Sequence, residues 1–403
     1  MHNIPGRRDF IKTAASLAAF SIVTPRAAFT YDTNTKISLG LIGCGGRGRW
    51  IGQLFQEFAP CKVTAIHDPF RFRTYQTGKT LDVPENRRFV GLDGYRELVA
   101  LDDIDSVAIE SPPCFHVDQA EAALNARKHV YMAKPVAVDV AGCLRALQFR
   151  EAHPDRCCWV DFQARVDPLY QEAVRRVREG HIGFPVFGHT YYHCERLQRQ
   201  APEGSPGERL RNWAFDKALS GDIIVEQDIH VIDVTNWILD AHPVRAQGTG
   251  GRKGRTDVGD CWDHFIVAFE YPDGINVDFS GLQCAVRFNA DLCARVYGSK
   301  GTIDTHYGGP VQVTSPEDKW PGGVTTNIYQ DGAVANIRIF CDAVATGKVI
   351  NNMAVSVASN LTCILGRMAA YRQTAVTWDE MMADTAPIDL QLELEPEAIE
   401  VKP

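Results

Sequence analysis

Three polar side chains in the second half of the chain are spaced so that one helix would bring them together. They are Glu226, His230 and Asp233, at positions i, i+4 and i+7, which share a helix face. Apolar residues such as Ile224 and Trp237 flank them, and a polar stripe in such surroundings is costly to bury unless it is paired or used. Because histidine can take up and release a proton near neutral pH, the stripe is a candidate acid–base site.

Two other interpretations of this stripe stay open. A core histidine that is satisfied by hydrogen bonds, next to an acid at a helix N-terminus, would give the same pattern. Half of a metal site is the other interpretation. It is disfavoured because no second histidine or cysteine lies at ligand spacing from His230, so we predict that the chain holds no metal.

A glycine-rich turn near the start of the chain has the spacing of a dinucleotide-binding loop. Residues 43–48 read Gly-Cys-Gly-Gly-Arg-Gly and directly follow the apolar stretch 37–42. In this pattern Gly43 permits the tight turn, Gly45 lets the backbone approach a pyrophosphate, and Gly48 lets the next helix pack on the strand. The N-terminus of that helix offers free N–H groups to the phosphates. We therefore assign cofactor contacts to Gly43, Gly45, Gly46, Arg47 and Gly48.

The acid that ends the next predicted strand indicates which cofactor is used. Asp68 follows Gly48 by 20 residues and would accept hydrogen bonds from both ribose hydroxyls of NAD. A carboxylate there repels a 2′-phosphate, so the sequence predicts NAD. Arg71 and Arg73 follow closely and would support NADP if Asp68 turned away.

The elements that must hold these residues change in type along the chain. Apolar strands alternate with helices up to about residue 160, with strands predicted at 37–42, 61–66, 106–110 and 128–132, which is typical of a parallel α/β sheet. From residue 261 onward, alternating stretches separated by turns predict a largely antiparallel sheet.

Two further motifs resemble those of the glucose–fructose oxidoreductase/inositol dehydrogenase (Gfo/Idh/MocA) family. The family ends one strand with T-P-x-x-x-H and a later one with E-K-P. Here residues 111–116 read Ser-Pro-Pro-Cys-Phe-His and residues 133–135 read Ala-Lys-Pro. The family also carries an acid four residues before a histidine and an aspartate three residues after it, and Glu226, His230 and Asp233 fall on those positions.

This resemblance implies roles for individual residues. His230 would be the acid/base, Glu226 would orient it or bind a neighbouring hydroxyl, and Lys134 would polarise the oxygen that becomes a carbonyl. One departure is Ala133 in place of the family's glutamate, which removes a carboxylate beside the lysine. The stretch Tyr191-Tyr192-His193 is a candidate for substrate contacts, and Tyr191 is assigned to the substrate, but both tyrosines equally fit ordinary strand positions. The further contacts are Ser111, Pro112, His116, Lys134 and Gln163 to the cofactor, and Arg165, Tyr191, Trp213 and Asp233 to the substrate.

The expected fold is α/β with two domains. An N-terminal Rossmann dinucleotide-binding domain is predicted at 36–155. A C-terminal α+β domain with a large open, mostly antiparallel sheet is predicted at 156–380, followed by an acidic tail at 381–403 that shows no site chemistry. By the resemblance, the open face of that sheet would join copies into a homo-oligomer, a dimer or tetramer.

The first 28 residues resemble a twin-arginine (Tat) export signal. Arg7 and Arg8 precede an apolar stretch, from Thr13 to Pro25, that is well short of the ~20 residues a membrane-spanning helix needs. The alternative is an N-terminal arm that happens to contain two arginines. Export predicts a periplasmic or otherwise exported protein with no stable membrane anchoring.

Composition excludes several classes of protein. Of 403 residues, 45% are hydrophobic and 23% charged, which is the balance of an ordinary globular protein. The net charge of -8 and the lack of a basic run disfavour a nucleic-acid partner. The 12 cysteines form no C-x-x-C pair, so neither a zinc ribbon nor a thioredoxin-like site is supported.

Together these features predict an NAD-dependent oxidoreductase acting on a sugar, a sugar derivative or a glycoside. An exported enzyme has no replenished dinucleotide pool, so its cofactor should be tightly retained. One alternative is a glycoside hydrolase or lyase that uses NAD for a transient oxidation of the sugar. The other is a sensor of sugars or nucleotides without catalysis.

Overall fold

The computed structural model describes residues 36–317 and 319–402, and the predicted export signal lies outside them. A six-stranded parallel sheet organises the first part of the chain, in the order β3-β2-β1-β4-β5-β6. Its strands are β1 (Ile37–Ile42), β2 (Cys61–Asp68), β3 (Arg88–Val90), β4 (Ser106–Ile109), β5 (His129–Ala133) and β6 (Cys158–Asp161). This is the strand order of a dinucleotide-binding Rossmann sheet, and it confirms the predicted fold of the N-terminal domain.

Helices cover both faces of this sheet. All four residues of β4 and five of the six residues of β1 are buried, as expected for strands between two helix layers. The helices of this part are α1 (Gly46–Phe58), α2 (Arg71–Leu81), α3 (Gly94–Val99), α4 (His116–Asn125) and α5 (Val140–Ala152).

A nine-stranded sheet forms the second part, in the order β14-β13-β12-β11-β7-β10-β9-β8-β15. Its strands are β7 (Pro185–Glu195), β8 (Arg245–Gly251), β9 (His264–Glu270), β10 (Asn276–Ala285), β11 (Asp291–Gly298), β12 (Thr302–His306), β13 (Pro310–Thr314), β14 (Gly323–Val324) and β15 (Val376–Thr377). Only β7 and β10 run parallel to each other, so the predicted mostly antiparallel sheet is confirmed.

Helices pack on one face of the second sheet, which we call its inner face. Side chains alternate between the faces, so that in β9 Phe265, Val267 and Phe269 are buried whereas Ile266 on the outer face is exposed. The helices of this part are α6 (Gln163–Val166), α7 (Pro168–Arg178), α8 (Glu208–Arg211), α9 (Lys217–Ser220), α10 (Ile223–Glu226), α11 (Ile229–Leu239), α12 (Ile328–Thr346), α13 (Met353–Arg372), α14 (Trp378–Ala383) and α15 (Pro396–Ile399).

One of these helices is long and apolar enough to cross a membrane by length and composition alone. It is α13, and 78% of its most apolar stretch is buried inside the protein. It packs against β8, β9, α5 and α11, so it is the central helix of the core.

The first domain extends beyond the boundary predicted at residue 155. β6 pairs in parallel with β5, so residues 158–161 belong to the first sheet. Helix α12 also returns to this domain, where Ile337 and Phe340 join the apolar core between β1 and α1. Sequence periodicity identifies a strand or a helix, but it does not say which sheet that element joins.

Candidate active site

The glycine loop lies at the carboxyl edge of the first sheet, between β1 and α1. Gly43 has a φ of +94°, and a Cβ there would lie 2.5 Å from the carbonyl carbon of Glu110. At Gly48 a Cβ would lie 1.9 Å from the carbonyl oxygen of Gly43. At Gly45 and Gly46 the same position is open space. Two glycines therefore permit the turn and its packing, and the other two leave room for a bound group.

A cleft of about 330 Å³ opens in front of this loop and extends to Asp68. The first domain supplies one wall, including residues 43–48. The second domain supplies the opposite wall from the segment 197–215, which includes Trp213. Trp213, which was predicted as a substrate contact, lines this cleft together with the glycine loop.

Asp68 is buried at the end of β2, where the adenosine half of a dinucleotide is expected. Its Oδ2 accepts a hydrogen bond from a backbone N–H of the glycine loop (2.9 Å), and its Oδ1 accepts one from the N–H of Phe70 (3.0 Å). Each oxygen keeps a second lone pair, so the carboxylate can still accept from a ribose diol. Arg73 lies 3.9 Å from Oδ2, whereas Arg71 pairs with Glu400 at 2.8 Å.

Arg47 extends from the loop to two buried carboxylates at the ends of β4 and β6. Its Nε lies 3.0 Å from Oε2 of Glu110, and its terminal nitrogen contacts Asp161. It also donates a hydrogen bond to the hydroxyl of Tyr329 (3.1 Å). Burial raises the pKa of Glu110 to about 7, against the opposing effect of Arg47. Burial also raises the pKa of Asp161. Arg47 was predicted as a cofactor contact; it lines the cleft, and its side chain also compensates these two acids.

Lys134 projects from the end of β5 toward the second domain. Its Nζ donates a hydrogen bond to Oε1 of Glu226 at 3.0 Å and another to the backbone carbonyl of Glu226. The two side chains are only 12% and 10% exposed, so water screens this ion pair weakly. Glu226 thus supplies from the second domain the carboxylate that Ala133 lacks in the first.

His230 lies partly buried between two tyrosine rings. The ring centroid of Tyr192 is 6.4 Å away in a nearly parallel plane, and that of Tyr307 is 5.5 Å away. Burial lowers the pKa of His230 well below its usual value, and the cations Lys134 and Arg47 lower it further. No described residue forms a hydrogen bond with its ring nitrogens. The imidazole is therefore neutral and able to accept a proton, unlike a core histidine satisfied by hydrogen bonds.

The predicted stripe of Glu226, His230 and Asp233 does not form on one continuous helix. The backbone N–H groups of Gln227 and Asp228 both donate to the carbonyl of residue 223, which ends α10 before α11 begins. Glu226 consequently faces Lys134, and within the described residues no hydrogen bond joins it to His230. The expectation that Glu226 orients the imidazole directly is not met.

Arg165 and Asp233, both predicted as substrate contacts, bind each other. The guanidinium of Arg165 donates through Nε (2.9 Å) and through a terminal nitrogen (2.8 Å) to the two carboxylate oxygens. The hydroxyl of Ser359 donates a further hydrogen bond to Asp233 (2.7 Å). This bidentate pair joins α6, α11 and α13, so it fixes the second domain around the site.

Tyr191 and Tyr192 point to opposite faces of the second sheet because side chains alternate along β7. Tyr192 faces the inner side, and its hydroxyl donates to Oε1 of Gln227 (3.0 Å) beside His230. Tyr191 faces the outer side, and its hydroxyl donates to Asp291 (3.0 Å). The structure therefore places Tyr191, which was assigned to the substrate, on the sheet face opposite His230, whereas its neighbour Tyr192 lies beside His230.

The predicted cofactor contacts after β4 fall into two groups. Ser111 and Pro112 line the cleft. His116 is buried, and its ring nitrogens lie 2.8 Å from the carbonyl of Ser111 and 2.7 Å from that of Pro135, so it positions this turn. Gln163 is buried at the start of α6, and its Oε1 has no hydrogen-bond partner among the described residues.

Comparison with known proteins decides the family. Residues 37–162 match an oxidoreductase family model with an NAD-binding Rossmann fold, and residues 170–304 match the model of the GFO/IDH/MocA C-terminal domain. The chain belongs to the GFO/IDH/MocA oxidoreductase family. An inositol 2-dehydrogenase of Acidothermus cellulolyticus is 27% identical over 277 residues, which cover 67% of this chain and 73% of that protein. One of Burkholderia cenocepacia is 28% identical over 268 residues, 66% of this chain and 72% of that protein.

Solved structures of similar fold include dehydrogenases of polyhydroxylated rings. Scyllo-inositol dehydrogenase from Lactobacillus casei, with NAD(H) and scyllo-inositol, has a TM-score of 0.69 at 18% identity, over 86% of this chain and 100% of that one. Levoglucosan dehydrogenase with NADH and L-sorbose has a TM-score of 0.71 at 17% identity, over the same shares. At these identities the likeness shows the fold that this GFO/IDH/MocA protein shares with them.

The family implies a nicotinamide dinucleotide, and this chain's residues fit one. The open positions at Gly45 and Gly46 leave space for a pyrophosphate at the N-terminus of α1. Asp68 is an acceptor at the adenosine end, and the unpartnered Oε1 of Gln163 is a buried acceptor that a ligand N–H would satisfy.

Within the described residues, side chains with metal-binding chemistry come together on the outer face of the second sheet. The ligand atoms of Cys293, Asp304 and His306 lie within 4.8 Å of one another. Arg295 already binds both carboxylate oxygens of Asp304, at 2.9 and 3.0 Å. Its guanidinium thus gives Asp304 a counter-ion without a metal, and the group lies on the sheet face opposite His230.

Sequence reasoning missed three residues of this site, Glu110, Asp161 and Tyr307, and did not choose Tyr192 from among its neighbours. Glu110 directly follows the buried strand β4, and Asp161 is the last residue of the buried strand β6. An acid at the carboxyl end of a buried strand is the sequence feature that could have identified them. Tyr192 stood in the stretch considered for substrate contacts, but Tyr191 was assigned in its place. Tyr307 gave no signal, because it follows β12 and reaches His230 only through the pairing of the strands.

Proposed function

We propose that this GFO/IDH/MocA protein is an NAD-dependent oxidoreductase that oxidises a secondary alcohol of a cyclic polyol, a sugar or a sugar derivative. The observation that carries the proposal is His230, neutral and without a hydrogen-bond partner among the described residues, beside the Lys134–Glu226 pair. An unpaired base next to a lysine is what removal of a hydroxyl proton requires. The dinucleotide cleft supports the redox chemistry.

The residues of the chain divide this task between them. When bound, NAD supplies a hydride acceptor. His230 accepts the hydroxyl proton at a ring nitrogen. The ammonium group of Lys134 donates a hydrogen bond to the same substrate oxygen and stabilises the charge that develops there. Tyr192 and Tyr307 shield the imidazole from water. Because the pKa of His230 is lowered, the neutral imidazole, which is the form that accepts the hydroxyl proton, is the populated form at neutral pH.

The polar groups around His230 support a polyhydroxylated ring as substrate. Glu226 and Gln227 offer a carboxylate and an amide near the imidazole, and both already bind neighbouring side chains through oriented hydrogen bonds. Relatives and structural neighbours are named for inositols and levoglucosan, which are such rings. A ring with several adjacent hydroxyls would use these acceptors together.

NAD is the proposed cofactor, and the proposed enzyme retains it between turnovers. Buried Asp68 favours the free ribose diol of NAD. Arg73 offers one cation for a 2′-phosphate, but Arg71 is engaged by Glu400. The twin-arginine motif supports export, and outside the cytoplasm a freely exchanging cofactor would be lost after one turnover.

Self-association through the outer face of the second sheet is part of this proposal. Apolar side chains are exposed on that face, including Ile266 (60%), Phe187 (39%) and Tyr297 (39%). Apolar groups beside paired charges suit contact with a second copy of the chain. Light scattering of the purified protein tests it, and a monomer at micromolar concentration would refute it.

The experiment that tests the proposed function starts from protein purified without added cofactor. We expect it to release one NAD(H) per chain on denaturation, and Asp68→Ala to lower affinity for NAD more than for NADP. A panel of inositols, levoglucosan, aldoses and nitrophenyl glycosides then identifies the ring that reduces the bound NAD. Protein that binds no dinucleotide even when it is added would refute the proposal. Release of nitrophenol with no change in the bound cofactor would also refute it.

A further inference from the structure

The C-terminal segment, residues 388–402, lies against the walls of the cofactor cleft. It was predicted to show no site chemistry, yet four of its side chains join a compact apolar group that we call the tail cluster. That cluster has three fully buried members, Phe70, Leu210 and Leu219. Its partly buried members are Phe72, Leu92, Cys114, Phe115, Trp213, Leu390, Leu392, Leu394 and Val401.

The tail cluster and the lining of the cleft share residues. Phe70, Leu92 and Phe115 belong to the first domain, Leu210 and Trp213 belong to the second, and all five also line the cleft. The same group of side chains therefore borders both the cleft and the C-terminal segment. Among the shared residues from the first domain, Phe70 adjoins Asp68 at the end of the cleft where the adenosine half is expected, and its backbone N–H donates to Oδ1 of Asp68 (3.0 Å).

Polar contacts anchor the segment to both domains. On the first domain, Glu400 pairs with Arg71 at 2.8 Å, and the backbone N–H of residue 388 donates to Asp139 at 2.7 Å. On the second domain, Arg209 donates to the backbone carbonyl of Gln391 at 2.7 Å. The segment thus crosses from one wall to the other, outside the cleft.

We propose that residues 388–402 form a strap that holds the two walls of the cleft together over the adenosine half and slows release of the dinucleotide. The inference rests on the proposed function, since it needs a dinucleotide in the cleft. Separation of the walls would break the anchors and expose the apolar side chains of the strap, which opposes opening. The strap lies beyond residue 304, where the match to the family's C-terminal domain ends.

The test compares rates of cofactor release between variants of the full-length chain. Leu392→Ser/Leu394→Ser removes two partly buried contacts of the strap and leaves the lining of the cleft unchanged. Leu101→Ser is the matched control, because Leu101 is also partly buried but precedes β4, at the opposite edge of the first sheet. A chain that stops after residue 387 removes the strap entirely.

Each protein is loaded with NADH, mixed with excess NAD, and followed by the loss of NADH fluorescence. We expect release about tenfold faster from Leu392→Ser/Leu394→Ser, faster still from the shortened chain, and unchanged from Leu101→Ser. Melting temperatures measured in parallel show whether each variant is folded at the temperature of the assay. If the shortened chain does not fold, the double variant decides alone.

Two outcomes would overturn the strap. One is release of NADH at the wild-type rate from folded Leu392→Ser/Leu394→Ser. The other is an equal increase in the release rate in Leu101→Ser. Failure of the wild-type protein to bind NADH at all is a different result, because it refutes the proposed function on which the strap rests.

Discussion

Two histidines on opposite sides of the second sheet are in opposite electrostatic states, His306 on the sheet's outer face and His230 on helix α11 against its inner face. On the outer face, His306 lies 2.9 Å from Asp291 and 3.3 Å from Asp304. The Asp304 hydrogen bond is the main cause that raises the pKa of His306 to about 11. On the inner face, burial and Lys134 lower the pKa of His230 well below its usual value. One histidine is a fixed cation, and the other is a neutral base.

This difference shows that residue type alone does not define a catalytic site. Tyr191 and Tyr192 are adjacent in the chain, yet one joins the charged network of the outer face and the other lies beside His230. A histidine with a carboxylate at each ring nitrogen holds its proton and stabilises structure. A histidine with no such partner and a lysine nearby can accept one.

The largest expected effect comes from removing each histidine in turn. His230→Ala should lower kcat by about 10²–10⁴-fold with the dinucleotide still bound, because it removes the base that accepts the proton. His306→Ala should leave kcat within about twofold and lower the free energy of unfolding by ~1–3 kcal/mol, because it removes the cation that bridges Asp291 and Asp304. Steady-state kinetics and thermal unfolding of both variants provide the check, and equal losses of kcat would erase the contrast between the faces.

Lys134 should have an effect of similar size that does not add to that of His230. Lys134→Ala removes the cation beside the substrate oxygen, and we expect a loss of about 10²-fold in kcat. In the double variant with His230→Ala the loss should be far smaller than the product of the single losses, since both groups act on one transition state. If the loss of kcat in the double variant equals the product of the single losses, the two residues act independently, which would contradict a shared role in one transition state.

The two tyrosines of β7 offer a matched pair of small substitutions. Tyr192→Phe removes the hydroxyl that donates to Gln227, so KM should rise by about 2–10-fold. Tyr191→Phe makes the same chemical change on the outer face and should leave KM unchanged. Measured KM values for the two variants test which tyrosine of β7 faces the site. A larger effect on KM from Tyr191→Phe would contradict the assignment of Tyr192 to the inner face.

The smallest effect concerns the pH profile of the oxidation. A histidine with an ordinary pKa of ~6.5 would lose about fourfold of its neutral form between about pH 7.5 and pH 6. Because the pKa of His230 is lowered, its neutral form persists as the pH falls, and it protonates only below that range. We therefore expect kcat/KM to stay level down to about pH 6, and a decline centred near pH 6.5 would contradict the neutral base.

The sequence predicted the parts of the site that are local in the chain. The glycine loop, Asp68 and the turn at residues 111–116 are defined by short spacings in the chain. Residues that are close in the chain stay close in the folded protein, so these parts could be predicted. Contacts between distant elements were not predictable in this way. The Lys134–Glu226 pair forms across the two domains, and it gives Lys134 a carboxylate although this chain has Ala133 where the family has glutamate.

The predictions for site residues failed where their spacing is compatible with more than one arrangement in the structure. Glu226 and Asp233 match a single helix by spacing, but the helix ends after Glu226, and Asp233 pairs with Arg165. The i, i+4, i+7 spacing predicts neither the end of the helix after Glu226 nor the pairing of Asp233 with Arg165. The C-terminal segment showed no motif at all, because its place beside the cleft depends on leucines that meet the rest of their cluster only in three dimensions.

A single-turnover experiment tests the central claim, that His230 is the base of a hydride-transfer site, most directly. Wild-type protein, His230→Ala and His306→Ala are each loaded with one NAD per chain and mixed with excess of the best ring from the substrate panel. The absorbance of reduced nicotinamide should rise rapidly to one NADH per chain in the wild type and in His306→Ala, and about 10²–10⁴-fold more slowly in His230→Ala. A rise at the wild-type rate in NAD-loaded His230→Ala would contradict the account.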